Sequence, residues 1–111
     1  MRVVVCGSRT WIDYDTIHRR LSSLPKDTII ITGGALGADS IATAIARELG
    51  LKCVAVPADW AQFGRAAGMI RNEQMLREWN PDLVIAFWDN VSRGTGDMIR
   101  RVKRLNKPLE V

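Results

Sequence analysis

Five short apolar runs alternate with longer amphipathic stretches along the 111-residue chain. The runs lie at residues 3–6, 28–32, 52–56, 83–88 and 108–111, and they are nearly continuous in Val, Ile, Leu and Ala. Runs of this length and composition are typical of strands that are buried on both faces of a parallel sheet. They therefore predict five β-strands.

The four stretches between the runs have the residue spacing of amphipathic helices. They cover residues 13–24, 37–49, 65–79 and 94–105. In the third we expect Met69, Leu76 and Trp79 to face the core, and in the fourth Met98, Val102 and Leu105. Strict alternation of strand and helix predicts an α/β fold, a Rossmann-like three-layer α/β/α domain with a five-stranded, mainly parallel sheet. At this length, residues 1–111 are expected to form one domain.

Composition narrows the function classes only slightly. The formal net charge of +4 favours an anionic partner but does not distinguish a nucleotide from a nucleic acid. No apolar run approaches the ~20 residues of a membrane span, and the N-terminus lacks a signal-peptide pattern. We therefore expect a cytoplasmic protein with no membrane partner. Cys6 and Cys53 lie in apolar runs, which favours packing in the core. These two cysteines and the single histidine, His18, do not have the spacing of metal ligands, so we expect no metal site. We also expect no cofactor.

The unusual residues are concentrated in the loops that follow the first four strands. These loops read "GSRTW", "GGALGAD", "PADWAQFGRAAG" and "WDNVSRGTG", whereas the loops at the opposite edge read "PKD", "GL", "NPD" and "NK". In open α/β sheets, ligands bind beyond the carboxyl ends of the strands. The sequence therefore predicts a ligand site at this edge.

Glycines, hydroxyls and free N–H groups before a helix are typical of an anion site, and an arginine there can pair with phosphate. The alternative is that the glycines only permit tight turns. Asp39 has two interpretations, since a carboxylate suits the start of a helix and can also bind ribose hydroxyls. No Gly-Lys-Ser/Thr occurs, which excludes a P-loop ATPase. In the first, second and fourth of the four loops, the predicted ligand-binding residues are Gly7, Ser8, Arg9, Trp11, Gly33, Gly34, Gly37, Asp39, Ser92, Arg93, Gly94, Thr95 and Gly96.

The third loop and the helix after it contribute four further candidates. Trp60 could stack on a base or fix the loop to the core. Asn72 lies on the inward face of its helix and must find partners, in a ligand or in the protein. Arg65 and Arg71 flank it and either reach an anion or are solvated.

Four motifs together, "GSRTW", "GGALGAD", "PADW…GRAAGMIRN" and "FWDNVSRGT…MIRRVKRLNKP", closely resemble the YspA-like proteins of the SLOG superfamily. That superfamily also contains the LOG phosphoribohydrolases and the DNA-processing protein DprA. The resemblance implies a Rossmann-like domain that binds nucleotides or ligands derived from them. LOG enzymes carry P-G-G-x-G-T-x-x-E, whose glutamate serves N-glycosidic cleavage. Gly94 and Thr95 match the Gly-Thr pair, Met98 occupies the glutamate position, and Asp97 is one residue early.

Three functions stay open at this point. The favoured one is binding, for sensing or sequestering, of a signalling nucleotide such as a phosphoribosyl or ADP-ribose derivative. The second is hydrolysis of nucleoside monophosphates, with Asp97 or Asp39 as the catalytic carboxylate. The third is association with DNA, supported locally only by the basic end of the last helix, so a small molecule is favoured over nucleic acid. The resemblance also implies self-association, at least as a dimer, with the loop at residues 58–68 reaching the neighbouring subunit.

Overall fold

A five-stranded parallel sheet forms the middle layer of the computed structural model, which describes residues 1–111. The strands run in the order β3-β2-β1-β4-β5, and each neighbouring pair is parallel. The predicted fold class is therefore confirmed, with a sheet that is entirely rather than mainly parallel. The strands are β1 (Arg2–Gly7), β2 (Ile29–Thr32), β3 (Lys52–Ala55), β4 (Leu83–Phe87) and β5 (Leu109–Glu110).

The four predicted helices are present, with ends shifted by one or two residues. They are α1 (Tyr14–Ser22), α2 (Ala38–Glu48), α4 (Ala67–Trp79) and α5 (Arg93–Arg104). The third loop, predicted to be irregular, contains the short helix α3 (Trp60–Phe63) and a 3-10 turn at Gly64–Ala66. Asp59 begins α3 by accepting a hydrogen bond from the N–H of Gln62. No helix combines the length and the apolar character that a membrane span requires.

Each face of the sheet has its own apolar core. Side chains alternate across a strand, so Val3 and Val5 of β1 pack on the α1 and α2 side. Val4 and Cys6 point the other way and pack with residues of α4 and α5. This two-sided burial is the reason why the strands read as continuous apolar runs rather than as alternating ones.

Two residues that were expected to face the core are exposed. Met69 is 44% exposed because it lies in the first turn of α4, next to an open cavity, whereas Leu76 of the same helix is buried as expected, together with Met75. Leu105 is 55% exposed because α5 ends at the preceding residue and Leu105 is its C-cap.

The order of the strands indicates where a ligand site would lie in this fold. The chain moves outwards from β1 through β2 to β3 and then crosses back to β4 on the other side of β1. At such a reversal the loops after β1 and β4 diverge and leave a crevice beyond the carboxyl ends of the strands.

Candidate ligand-binding cavity

A cavity of about 500 Å³ occupies this crevice, within the range of small-molecule sites. Its floor is formed by buried residues at the ends of β1 and of the helices α2, α4 and α5, including Cys6, Asp39, Asn72 and Thr95. Its rim is exposed and carries most of its charge. The residues at the rim are Arg9, Thr10, Trp60, Arg65, Met69, Asp89, Arg93 and Gly94.

Most of the site residues predicted from the sequence line this one cavity, although they come from opposite ends of the chain. The geometry therefore brings together the first and fourth loops, helix α4 and the start of α2, as expected from the fold. That these residues bind a ligand stays a prediction. The predicted residues in the cavity wall are Gly7, Arg9, Asp39, Trp60, Arg65, Arg71, Asn72, Ser92, Arg93, Gly94 and Thr95.

The remaining predicted residues, Ser8, Trp11, Gly33, Gly34, Gly37 and Gly96, lie outside the cavity wall. Ser8 is buried and joins the loops, because its Oγ accepts a hydrogen bond of 2.9 Å from the N–H of Asp89. Trp11 packs against Phe87 on the α1 and α2 side, with ring centroids 5.6 Å apart. Both residues therefore help to position the first loop without lining the cavity.

Close approach between neighbouring segments explains two of the glycines outside the wall. Gly37 has a φ of +75°, and a Cβ there would collide with the backbone of Ser8 and Arg9. A Cβ on Gly33 would collide with the guanidinium of Arg71. For these positions the structure supports the alternative that glycine permits a tight turn and close packing.

Helix α5 begins at the cavity without a side-chain cap. Ser92 makes no capping hydrogen bond, because its Oγ donates to Oδ2 of Asp89 instead. Oδ1 of Asp89 accepts from the N–H groups of Val91 and Ser92, and these bonds lower the pKa of Asp89 to about 2. The first N–H groups of a helix have no partner within it, and Gly94 and Thr95 line the cavity. The first turn itself lacks an acidic residue, so beyond the carboxylate of Asp89 at Ser92 its N–H groups remain available to an anion.

Arginines outnumber acids in the cavity wall. Arg9, Arg65, Arg71 and Arg93 line it, against Asp39 and Asp89. At the rim, Cζ of Arg9 lies 5.6 Å from the centroid of the Trp60 ring, close enough for a cation–π contact. Trp60 is half exposed, so part of its ring remains accessible. The wall therefore combines positive charge with an accessible aromatic surface.

Asp39 is only 4% exposed, and its two oxygens differ. Oδ2 accepts hydrogen bonds from the N–H groups of Gly33 and Ala35, at 3.1 and 3.2 Å, and so shapes the glycine loop. Oδ1 is equally buried and has no partner. Burial raises the pKa of Asp39 from 3.8 to about 6, although the N–H of Ala35 and the charge of Arg71 oppose the rise. A favourable position at a helix start does not explain this unpaired oxygen.

Arg71 and Asn72 connect the glycine loop to α5. Nη1 of Arg71 donates to the carbonyl of Gly33 at 2.7 Å, and its Nε donates to Oδ1 of Asn72 at 3.2 Å. Nδ2 of Asn72 in turn donates to the carbonyl of Gly94 and to Oδ2 of Asp97, at 3.0 and 3.1 Å. The side chain of Asn72 thus finds its partners within the protein.

Asp97 does not line the cavity. Its Oδ2 accepts from Nε of Arg101 at 2.8 Å as well as from Asn72. Met98 of α5 is fully buried in the core that this helix shares with α4. Of the two aspartates considered as catalytic, only Asp39 therefore lies in the cavity wall.

Several cavity residues were missed by the sequence analysis. Cys6 was assigned to the core, and it is buried, but it also lines the floor, where burial raises the pKa of its thiol to about 12. Its position directly before Gly7, at the end of a strand, could have indicated this. Asp89 lies two residues after the end of β4, and its position could likewise have indicated the cavity. The other missed residues are Thr10, Ala35, Gly68, Met69 and Met75.

Comparisons with solved structures find the same fold. DNA processing protein A (DprA) from Streptococcus pneumoniae superposes with a TM-score of 0.83 at 17% identity, covering 97% of this chain and 48% of that one. TM1055 superposes with a TM-score of 0.69 at 21% identity, over 97% of this chain and 71% of that one. The chain thus spans about half the length of the DprA chain.

Comparisons of sequence give closer relatives. The Gene 61 protein of Mycobacterium phage D29 is 33% identical over 117 aligned residues, which cover 97% of this chain and 93% of that protein. The model of the YspA, cpYpsA-related SLOG family (YAcAr) matches residues 1–63, which include both the first and the second of the glycine-containing loops. The chain belongs to the YspA, cpYpsA-related SLOG family.

Proposed function

We propose that the cavity binds a nucleotide or a nucleotide-derived anion, with a phosphate at the start of α5. The observation that carries this proposal is the uncapped first turn of α5, which opens with Arg93 into a cavity lined by three further arginines. By itself, the positive charge of Arg93 interacts unfavourably with the positive end of the helix dipole. A bound anion would compensate both the charge of Arg93 and the helix dipole.

Residues at the rim of the cavity can contact the base of such a nucleotide. The half-exposed Trp60 provides an aromatic surface on which a base can stack, and Arg9 packs over the same ring. The volume of about 500 Å³ is suitable for a mononucleotide or a phosphoribosyl compound. An ADP-ribose derivative is larger than these compounds and would extend past the rim.

Two residues of α5, Met98 and Asp97, favour binding over hydrolysis. The position that carries the glutamate in the LOG signature is Met98, which is buried in the core and cannot transfer a proton. The nearby carboxylate of Asp97 is engaged by Arg101 and Asn72. The phosphate-binding half of the signature is therefore present without a free carboxylate on this helix.

The test is calorimetric titration with AMP, ADP and ADP-ribose. Arg93→Ala should weaken binding by about 1.5–3 kcal/mol, the usual contribution of a hydrogen bond to a charged group. Its matched control is Arg104→Ala, an arginine in the last turn of the same helix. The fold should not change in either variant, because both side chains are exposed. Unchanged affinity in Arg93→Ala would remove Arg93 from the site.

A second candidate function, hydrolysis of a nucleoside monophosphate, is favoured by one observation. Asp39 is buried in the cavity wall, has an unpaired oxygen, and has a pKa near 6. Buried carboxyl groups with pKa values raised towards neutrality are typical of general acids and bases. Measurement of free base released from nucleoside monophosphates tests this candidate directly.

Association with DNA has less support. DprA is by name a DNA-processing protein, but its likeness to this chain, at 17% identity, concerns the fold alone. In this chain the cations Arg101, Lys103 and Arg104 lie in the last turn of α5, where they complement the helix dipole, and Arg101 is paired with Asp97.

A further inference from the structure

The unpaired oxygen of Asp39 constrains which ligand the cavity can accept. A buried polar atom without a partner is costly, and native proteins rarely retain one without a reason. Oδ1 of Asp39 is such an atom, whereas Oδ2 of the same carboxyl is satisfied by two backbone N–H groups. Asp39 is part of the cavity wall, which places this side chain beside the space that a ligand would fill.

The arrangement of the wall indicates which part of a ligand would supply a donor to Oδ1. A phosphate is expected at the first turn of α5, and the accessible aromatic ring, Trp60, is at the rim. With a phosphate at the helix and a base on the ring, the sugar between them faces the floor. A sugar hydroxyl is a donor of suitable size for the carboxylate of Asp39.

We infer that Asp39 selects ribonucleotides over deoxyribonucleotides, by accepting a hydrogen bond from a ribose hydroxyl through Oδ1. This inference rests on the proposed function, because it assigns the sugar of the same nucleotide. A deoxy analogue would leave Oδ1 buried and unpaired, as it is without ligand. A site built to hydrogen-bond a hydroxyl rejects the analogue that lacks it because the protein group then stays unsatisfied.

Asp39→Asn separates the two roles of this side chain. The carbonyl oxygen of asparagine can accept from Gly33 and Ala35 as Oδ2 does now, which keeps the glycine loop in place. Its amide NH₂ then replaces Oδ1 and presents a donor where the ligand needs an acceptor. The loop geometry is retained while the polarity towards the sugar is reversed.

The experiment measures affinities of the wild-type chain and Asp39→Asn for AMP, 2′-deoxy-AMP, 3′-deoxy-AMP and IMP. We expect the wild type to bind AMP about 10- to 100-fold more tightly than at least one deoxy analogue, from the strength of a hydrogen bond to a charged group. Asp39→Asn should lose most of this preference. Asp27→Asn, an exposed carboxyl at the opposite edge of the sheet, is the control and should keep it.

The outcomes are distinguishable. Equal binding of AMP and both deoxy analogues by the wild type would overturn the role of Asp39 while leaving the proposed function intact. Discrimination between AMP and IMP that Asp39→Asn loses, without discrimination against the deoxy analogues, would show that Asp39 contacts the base, which also overturns the inference. Failure of every nucleotide to bind would instead refute the proposed function. Thermal unfolding of Asp39→Asn checks that the variant is folded, and discrimination retained in the folded variant would contradict the inference.

Discussion

Asp39→Asn should gain stability relative to the wild type as the pH rises towards neutral. The carboxyl is 4% exposed, and its burial raises the pKa from 3.8 to about 6. Arg71 of α4 and Arg9 of the first loop face it and favour the charged form, as do the N–H groups of Ala35 and Gly33, but burial outweighs them. Ionising Asp39 in the folded state is thus harder than in the unfolded chain.

The sign and size of the effect follow from this difference. In the range between the two pKa values the folded protein holds a proton that the unfolded chain has released, so stability falls as pH rises. The contribution of the protonated group is fully present below 3.8 and is lost as pH passes through about 6. Since one pKa unit corresponds to about 1.4 kcal/mol, the loss amounts to about 3 kcal/mol. Asparagine retains an acceptor for the loop and carries no charge, and therefore avoids this loss.

Urea unfolding of both proteins across pH 3.5 to 7 tests the prediction. The free energy of unfolding of Asp39→Asn minus that of the wild type should rise by about 3 kcal/mol over this range and then stay level. Other carboxyls, such as Asp89, titrate in both proteins and cancel in the difference. Asp27→Asn controls for the loss of one surface charge. Parallel stability curves for wild type and Asp39→Asn would refute the reasoning, because they would show that ionising Asp39 costs the folded state nothing.

Two further predictions concern the assembly and the chemistry of the site. The protein should form at least a dimer by light scattering, and Trp60→Ala with Phe63→Ala, two exposed aromatic side chains of α3, should both loosen it and weaken nucleotide binding, whereas Leu105→Ala should do neither. A monomeric wild type with full ligand affinity would mean that each site is complete within one chain. Nucleoside monophosphates should release little free base, since a missing general acid or base typically lowers the rate by about 10²- to 10⁴-fold. Turnover near ~1 s⁻¹ that survives both Asp39→Asn and Asp97→Asn would contradict this interpretation.

Hydrophobic patterning was sufficient to predict the architecture and the edge that carries the cavity. Continuous apolar runs such as that of β1 identify a strand covered on both faces, and the alternation with helices implies the crossover that opens the crevice. Arg9, Arg93 and Gly94 lie in the cavity wall because the loops that follow parallel strands meet at one edge of the sheet.

The direction of individual side chains was harder to predict. Trp11 follows β1 in the chain as Arg9 does, yet it turns to the opposite side of the sheet and packs on Phe87. Asn72 and Asp97 were both candidates for contact with a ligand, but each is satisfied by partners within the protein. The pairing of Asn72 with Asp97 depends on the packing of α4 against α5, which the spacing within either helix does not contain.

The glycine loop and Asp39 act as one unit, and this determines which substitutions are informative. Gly33 accepts from Arg71 through its carbonyl and donates to Asp39 through its N–H, so the loop is fixed from both sides. A side chain at Gly33 would displace the guanidinium of Arg71, and removal of the carboxyl in Asp39→Ala would release the loop. Either change would reduce ligand affinity without showing what contacts the ligand. Only a substitution that keeps an acceptor for Gly33 and Ala35 while changing the atom at Oδ1 can separate the shape of the site from its chemistry.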